Sequence, residues 1–270
     1  MKAVALCALL ALGVQSSGPI EHVVPQRDSG QAQLELARTW KGRFRGQETP
    51  EERERWRRLA VEAYRAVRHY HPQARAQGAE AAFRAGELLR AAGKVNDAEA
   101  EFRVARTLGA GTPFRARAQL ELGHAARRRE AWRVAIECYL DVALEERAAR
   151  KQRDDAMIWA GRAWEAEGRH DEARRAWGIV ARGQGDALLR VRAHDAIALS
   201  FVRDEDLEAA AGALHACFVD FITVSHERSE LGRDVRAALA RMGSVTALQR
   251  AIARRALKDQ TENAEKALTR

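Results

Sequence analysis

Small and large apolar residues recur along this chain in a register that spans tens of residues. A glycine or alanine stands at Gly86, Gly123, Gly161 and Ala198, at intervals of 37, 38 and 37 residues. Twelve residues after each comes Ala98, Ala135, Ala173 or Ala210, and four further on a large side chain, Phe102, Tyr139, Trp177 or Leu214. The intervals are crowded with Ala, Leu, Glu and Arg, the strong helix formers, with acidic and basic residues interleaved as on solvated helix faces. Each period predicts helix, tight turn, helix, and four copies in step predict a repeat architecture. A small residue midway along one helix lets a second cross at about 8–10 Å. The large residue one turn after the alanine is expected to fill the gap against the next unit.

Local signals place the joints. The turn is expected three residues before each repeat alanine, at Val95, Trp132, His170 and Leu207, with Gly93 and Gly168 ending two of the first helices. Asn96-Asp97 and Asp171 are expected to cap the second helices, and Thr112-Pro113 to open a first helix. Backwards, Ala60 and Tyr64 continue the register; Thr49-Pro50-Glu51-Glu52 starts that helix as a capping box, Pro72 closes it, and 31–44 is its partner. Forwards, 229–242 and 245–257 flank Gly243-Ser244 with Ala247 in step, as a degenerate last pair. The repeat array is thus expected over 31–258, after a linker at 18–30 and before a polar tail at 259–270.

Composition excludes a β-sandwich or barrel, because β-branched residues are thin and only 6% of residues are aromatic. The formal net charge is +8, and only six of the 46 basic residues are Lys, so the excess is Arg. That charge admits a binder of an anionic polymer, such as cell-wall glycan or nucleic acid, as an alternative function. The interleaved acids and the scarcity of base-stacking aromatics argue against nucleic acid.

Residues 1–17 read as a secretory signal peptide: Met1-Lys2, an uncharged apolar run from Ala3 to Val14, then small residues with cleavage expected near Ser16–Gly18. The run is short for a membrane span, which needs about 20 residues. Leu6 before Cys7 does not fit a lipoprotein signal. The mature chain is therefore expected to be exported, periplasmic or secreted, with no transmembrane segment. Cys138 and Cys217 lie too far apart in an extended stack to form a disulfide.

The small–large spacing, with Leu89, Trp164 and Phe201 three residues after the small position, resembles the tetratricopeptide repeat (TPR) over about 31–257. The resemblance implies an all-α, right-handed α-solenoid of about six helix-turn-helix units with degenerate ends. The stretch His69-Tyr70-His71-Pro72, followed by Ala79-Glu80-Ala81-Ala82-Phe83, is similar to a subgroup found in exported bacterial envelope proteins. That subgroup includes the coordinator of the Tol–Pal system and an outer-membrane assembly lipoprotein. It implies a scaffold that binds a protein or peptide of the envelope.

Catalytic signatures are missing: there is no HExxH, no GxSxG and no zinc-type Cys/His spacing. His69 and His71 point to different sides of a helix and make a poor metal pair. No enzyme activity, cofactor or metal is predicted. In such repeats the first helix of each unit lines the concave groove. The positions expected there are Phe83, Glu87, Arg90, Arg117, Leu120, His124, Arg127, Ile158, Arg162, Glu165, Arg192 and Leu199, an apolar ribbon bordered by mixed charge.

Overall fold

A computed structural model describes residues 24–225. Among them run ten α-helices and no strand: α1 (Gly30–Arg45), α2 (Pro50–Tyr70), α3 (Arg75–Ala91), α4 (Val95–Leu108), α5 (Pro113–Arg128), α6 (Trp132–Ala143), α7 (Arg150–Ala166), α8 (His170–Ala181), α9 (Ala187–Arg203) and α10 (Leu207–Ser225). The signal peptide expected at 1–17, the last pair at 229–257 and the tail lie outside the described residues. The chain divides into two compact units, the first ending at Leu122 and the second beginning at Gly123, within α5. In the first unit α1 packs on α2, α2 on α3 and α3 on α4; in the second, α6 packs on α7, α7 on α8, α8 on α9 and α9 on α10. Alternate helices also meet, α1 with α3 and α7 with α9. The fold is all-α, an α-solenoid of TPR-like helix pairs.

What closes each pair is a ring laid against a glycine. A Cβ placed on Gly86 would stand 2.6 Å from Phe102 Cε1, and one on Gly123 would stand 2.6 Å from Tyr139 Cε1. On Gly161 it would run into Trp177 Nε1. These separations are far inside van der Waals contact, so only a bare backbone fits. The large residue therefore fills the gap within its own pair, correcting the expectation that it packs against the next unit. In the fourth pair Leu214 is smaller, and the matching first-helix position carries a methyl, as Ala198, Ala210 and Leu214 share one buried cluster. Trp177 and Tyr139 are fully buried. The Trp177 indole N–H also donates to the Ile158 carbonyl at 3.1 Å, so its polar atom costs nothing to bury.

The turns repeat as faithfully as the core. Gly93, Glu130, Gly168 and Glu205 all have positive φ, at 74°, 58°, 79° and 60°, and follow one another at the repeat spacing. This turn sits two residues before the position expected from sequence. Val95, Trp132, His170 and Leu207 are instead the first residues of the second helices. The caps shift with it: Lys94 and Arg169 occupy the N-cap positions of α4 and α8 without a side-chain bond. Asp97 and Asp171 lie inside the first turn, where their charge complements the helix dipole rather than capping it. Thr49 and Thr112 do cap: their hydroxyls accept from the Glu52 N–H at 3.2 Å and the Phe114 N–H at 3.3 Å.

From Val24 onward the segment expected as linker is fastened to the first pair. Val24 is buried, and its carbonyl accepts from the Tyr70 hydroxyl at 3.0 Å. His71 Nε2 donates to the Arg27 carbonyl at 3.0 Å. The Gln33 amide spans the same stretch, accepting from the Arg27 N–H at 2.8 Å and donating to the Pro25 carbonyl at 3.2 Å. A Pro-containing polar stretch looks like linker because composition does not reveal that distant side chains satisfy its backbone. Within the first unit, Glu101 is buried and held by Arg65 at 2.8 Å and Arg68 at 2.7 Å, joining α2 to α4.

Glu130 and Glu205 occupy a backbone conformation that costs an L-residue roughly 1–2 kcal/mol and glycine almost nothing. Glu130 is exposed, so Glu130→Gly loses no packing. It should raise stability by about 0.5–1 kcal/mol, read as a higher urea midpoint. A lower midpoint would show that the turn draws on the Glu130 side chain.

Candidate functional site

The first helix of each pair turns one face away from its partner. With about 100° of rotation per residue, positions six before, two before and one after the small residue lie 120°, 160° and 100° from it. These positions hold Glu80, Arg84 and Glu87 on α3, and Asp155, Trp159 and Arg162 on α7. The position three before lies only about 60° away, nearer the packed side. Phe83 and Ile158 occupy it and are each 2% exposed. The apolar ribbon expected from sequence is therefore core at those two places. Phe83 packs its ring against Phe102 and Phe114, both centroids 5.7 Å away, and Ile158 belongs to the Trp177 cluster. Leu120 is half-buried and Leu199 is exposed.

In the first unit this face neutralises itself. The Glu87 carboxylate lies 2.9 Å from Arg84, 3.7 Å from Lys41 and 3.9 Å from Arg117. Glu80 meets Arg38 at 2.8 Å and Arg84 at 3.8 Å, while Arg90 reaches Glu121 at 3.4 Å. The Arg117 guanidinium also lies 4.4 Å over the Phe83 ring, covering it. Lys41, Arg38, Arg90 and Arg117 are each matched by an acid on a neighbouring first helix, and Arg84 by Glu80 and Glu87 of its own.

The second unit is different. Trp159 stands half-buried on α7 with two guanidinia over its ring, Arg127 from α5 at 4.7 Å and Arg162 at 4.5 Å. His124 meets the same indole edge-on at 5.0 Å, and its Nδ1 lies 2.8 Å from the Tyr139 hydroxyl. Burial pushes the Tyr139 phenol far above its ordinary pKa, so it stays protonated. Asp155 stands one turn before Trp159 on the same helix and feels the charges of Arg192, Arg162 and Lys151. Arg192 on α9 acts electrostatically on both Asp155 and Arg162. The sequence-predicted residues His124, Arg127, Arg162 and Arg192 are thus brought together, while Glu165 pairs with Arg203.

The charges of this cluster do not balance. Burial lowers the pKa of Arg162, and the neighbouring charges of Arg192 and Arg127 lower it further against the pull of Asp155 and Asp195. Among the described residues, Arg127, Arg162 and Arg192 have no carboxylate within 4.0 Å. Arg127 Nε is buried and makes no hydrogen bond. The arrangement is a surplus of fixed positive charge around an indole, on the side of α7 opposite the Gly161–Trp177 contact. Sequence reasoning missed Trp159 because it followed the position three before the glycine. Its signal lay one residue further on, where α3 carries Arg84 and α5 carries Glu121, both polar.

No family model matches the sequence, and no curated protein matches it. Solved structures do resemble it. A crystal structure of MamA shares 20% identity over 75% of this chain and 99% of its own, with a TM-score of 0.51. A second, of MamA protein, shares 18% over 73% of this chain and 94% of its own, with a TM-score of 0.52. A Podosopora anserina putative kinesin light chain with nearly identical TPR-like repeats aligns over 80% of this chain and 98% of its own at 18% identity, with a TM-score of 0.48. At this identity the likeness is one of fold. Among the described residues, no helix is long and apolar enough to cross a membrane, and no group of His, Cys, Asp and Glu is placed to hold a metal ion.

Burial raises the Asp155 pKa, outweighing Arg192, Arg162 and Lys151. A carboxyl raised in the folded chain destabilises it once the pH exceeds the folded pKa, and the penalty disappears below the unfolded value of about 3.9. Asp155→Asn keeps the size and shape of the side chain and removes the penalty. It should raise the melting temperature at pH 7 and converge with the parent near pH 3. A lower melting temperature at pH 7 would show that the ionised carboxylate stabilises the cluster.

Proposed function

We propose that this protein is a non-enzymatic interaction scaffold of the bacterial cell envelope, holding a protein partner along the outward face of its first helices. The observation that carries the reading is the cation surplus of Arg127, Arg162 and Arg192 around Trp159. The corresponding positions on α3 match such charges with acids, at Glu87 and Glu80. A guanidinium stays protonated at any physiological pH, so it serves to bind rather than to exchange protons. The TPR-like fold supports a protein partner, since stacked helix pairs present long continuous surfaces. The apolar run after Met1-Lys2 supports export, and the Tyr70–Pro72 stretch supports an envelope role.

The alternative, a binder of a glycan or nucleic acid polymer, needs a continuous basic track. The interleaved acids of the first unit interrupt such a track on its own face. That favours a protein partner with local charge.

The test is cross-linked capture from envelope extract with the full chain and with Arg127→Glu and Arg162→Glu. One discrete protein should be enriched by the parent and lost with both variants, while their thermal melts match the parent. The captured chain should come from the periplasmic fraction with its N-terminus near Gly18. Capture that is unchanged by both substitutions, or an uncleaved cytosolic chain, would overturn the proposal.

A further inference from the structure

We infer that Arg127, Arg162 and Arg192 form a receptor for a single peptide carboxylate, an Asp or Glu flanked by an apolar residue in the partner. The inference rests on the reading of this face as partner-binding and names the chemistry it recognises.

Charge selects the sign of the ligand. Two guanidinia, Arg127 and Arg162, lie over one indole, and Arg192 acts on Arg162 beside them. An anionic group is drawn to this ring, whereas a polyanion would find no surplus on the balanced Glu87 and Glu80 faces of the first unit.

Geometry selects the carboxylate. Arg127 and Arg162 lie over the indole, and stacking of this kind engages the flat face of a guanidinium. Their N–H donors lie in the edges, which remain available for the two-pronged bonds that a carboxylate accepts. Arg127 Nε is already stripped of water without a partner, so part of its desolvation cost precedes binding. The stacked indole limits the motion of both cations, leaving less freedom to lose on binding. Trp159 also supplies apolar surface beside the charge. A charged residue next to an aliphatic one matches that pairing of cation and ring.

The experiment uses the full-length protein and fluorescein-labelled dodecapeptides. One carries a central Glu between two Leu, a second replaces the Glu with Gln, and a third replaces the Leu with Ser. The Glu–Leu peptide should bind about tenfold or more tighter than the Gln peptide, as expected for charge-assisted hydrogen bonds. The Ser peptide should bind more weakly than the Glu–Leu peptide. The Glu preference should vanish in Arg162→Gln and in Arg127→Gln, both melting like the parent. Equal binding of the Glu and Gln peptides, or a Glu preference that survives both substitutions, would overturn the inference. Displacement by a heparin oligosaccharide with steep salt dependence, or by inorganic phosphate at concentrations where acetate is inert, would overturn it in favour of a polyanion or a phosphate ligand. If the Glu preference fails while envelope capture is still lost with Arg162→Glu, the carboxylate inference falls and the scaffold stands. If capture ignores the charge reversals while the peptide preference persists, the scaffold reading falls instead.

Discussion

Everything else in this chain is arranged around the contact of one ring with one bare backbone. Gly86, Gly123 and Gly161 receive Phe102, Tyr139 and Trp177 so closely that a single methyl would collide with the ring. Glycine in mid-helix costs about 1 kcal/mol relative to alanine, so three such glycines would weaken a chain that gained nothing from them. The gain is a fully buried aromatic side chain, worth roughly 1.5–3 kcal/mol in apolar burial alone. The pair Ala198 with Leu214 follows the same rule at smaller volume: as the large partner shrinks, the small one grows by a methyl. Within a pair, an aromatic ring calls for glycine and a leucine admits alanine.

This contact also decides which way the first helices face. Fixing the glycine toward its ring turns positions six before, two before and one after it outward together. On α3 those positions carry charges that answer charges on α1 and α5; on α7 they carry Asp155, Trp159 and Arg162. The same scaffold thus makes one face closed to further charge and another open to it. The difference lies in a few side chains, as expected where function is set by surface residues on a repeated frame. Burial and like charge together lower the Arg162 pKa, the electrostatic mark of cations held close without enough acid nearby.

Much of the fold was legible before any coordinates. The register of small and large residues predicted each described pair, because helix packing demands those sizes at those intervals. Thr49 and Thr112 announced their helix starts for the same local reason. Gly93 and Gly168 mark the turn correctly in two pairs, while the position at Val95, Trp132, His170 and Leu207 lies two residues late; in the other pairs the positive φ falls on Glu130 and Glu205, which do not announce it. The fastening of Val24–Arg27 was invisible, since it depends on Tyr70 and His71 more than 40 residues away. Of the expected cations Arg127 and Arg162 meet over one ring, Arg90 and Arg117 pair with acids of the first unit, and two of the expected apolar anchors, Phe83 and Ile158, are core. An error of one residue along a helix is a 100° error in direction, enough to exchange Trp159 for Ile158.

The most direct measurement is a double-mutant cycle at Gly161 and Trp177, read by denaturant unfolding. Gly161→Ala should overpack the pair and cost about 1–3 kcal/mol or more. Trp177→Leu should leave a cavity and cost about 2–5 kcal/mol. Together they recreate the Ala198–Leu214 combination, and the double variant should be more stable than the sum of the two losses predicts by about 1–3 kcal/mol. Strictly additive losses would mean that ring and glycine do not set the spacing of the helices.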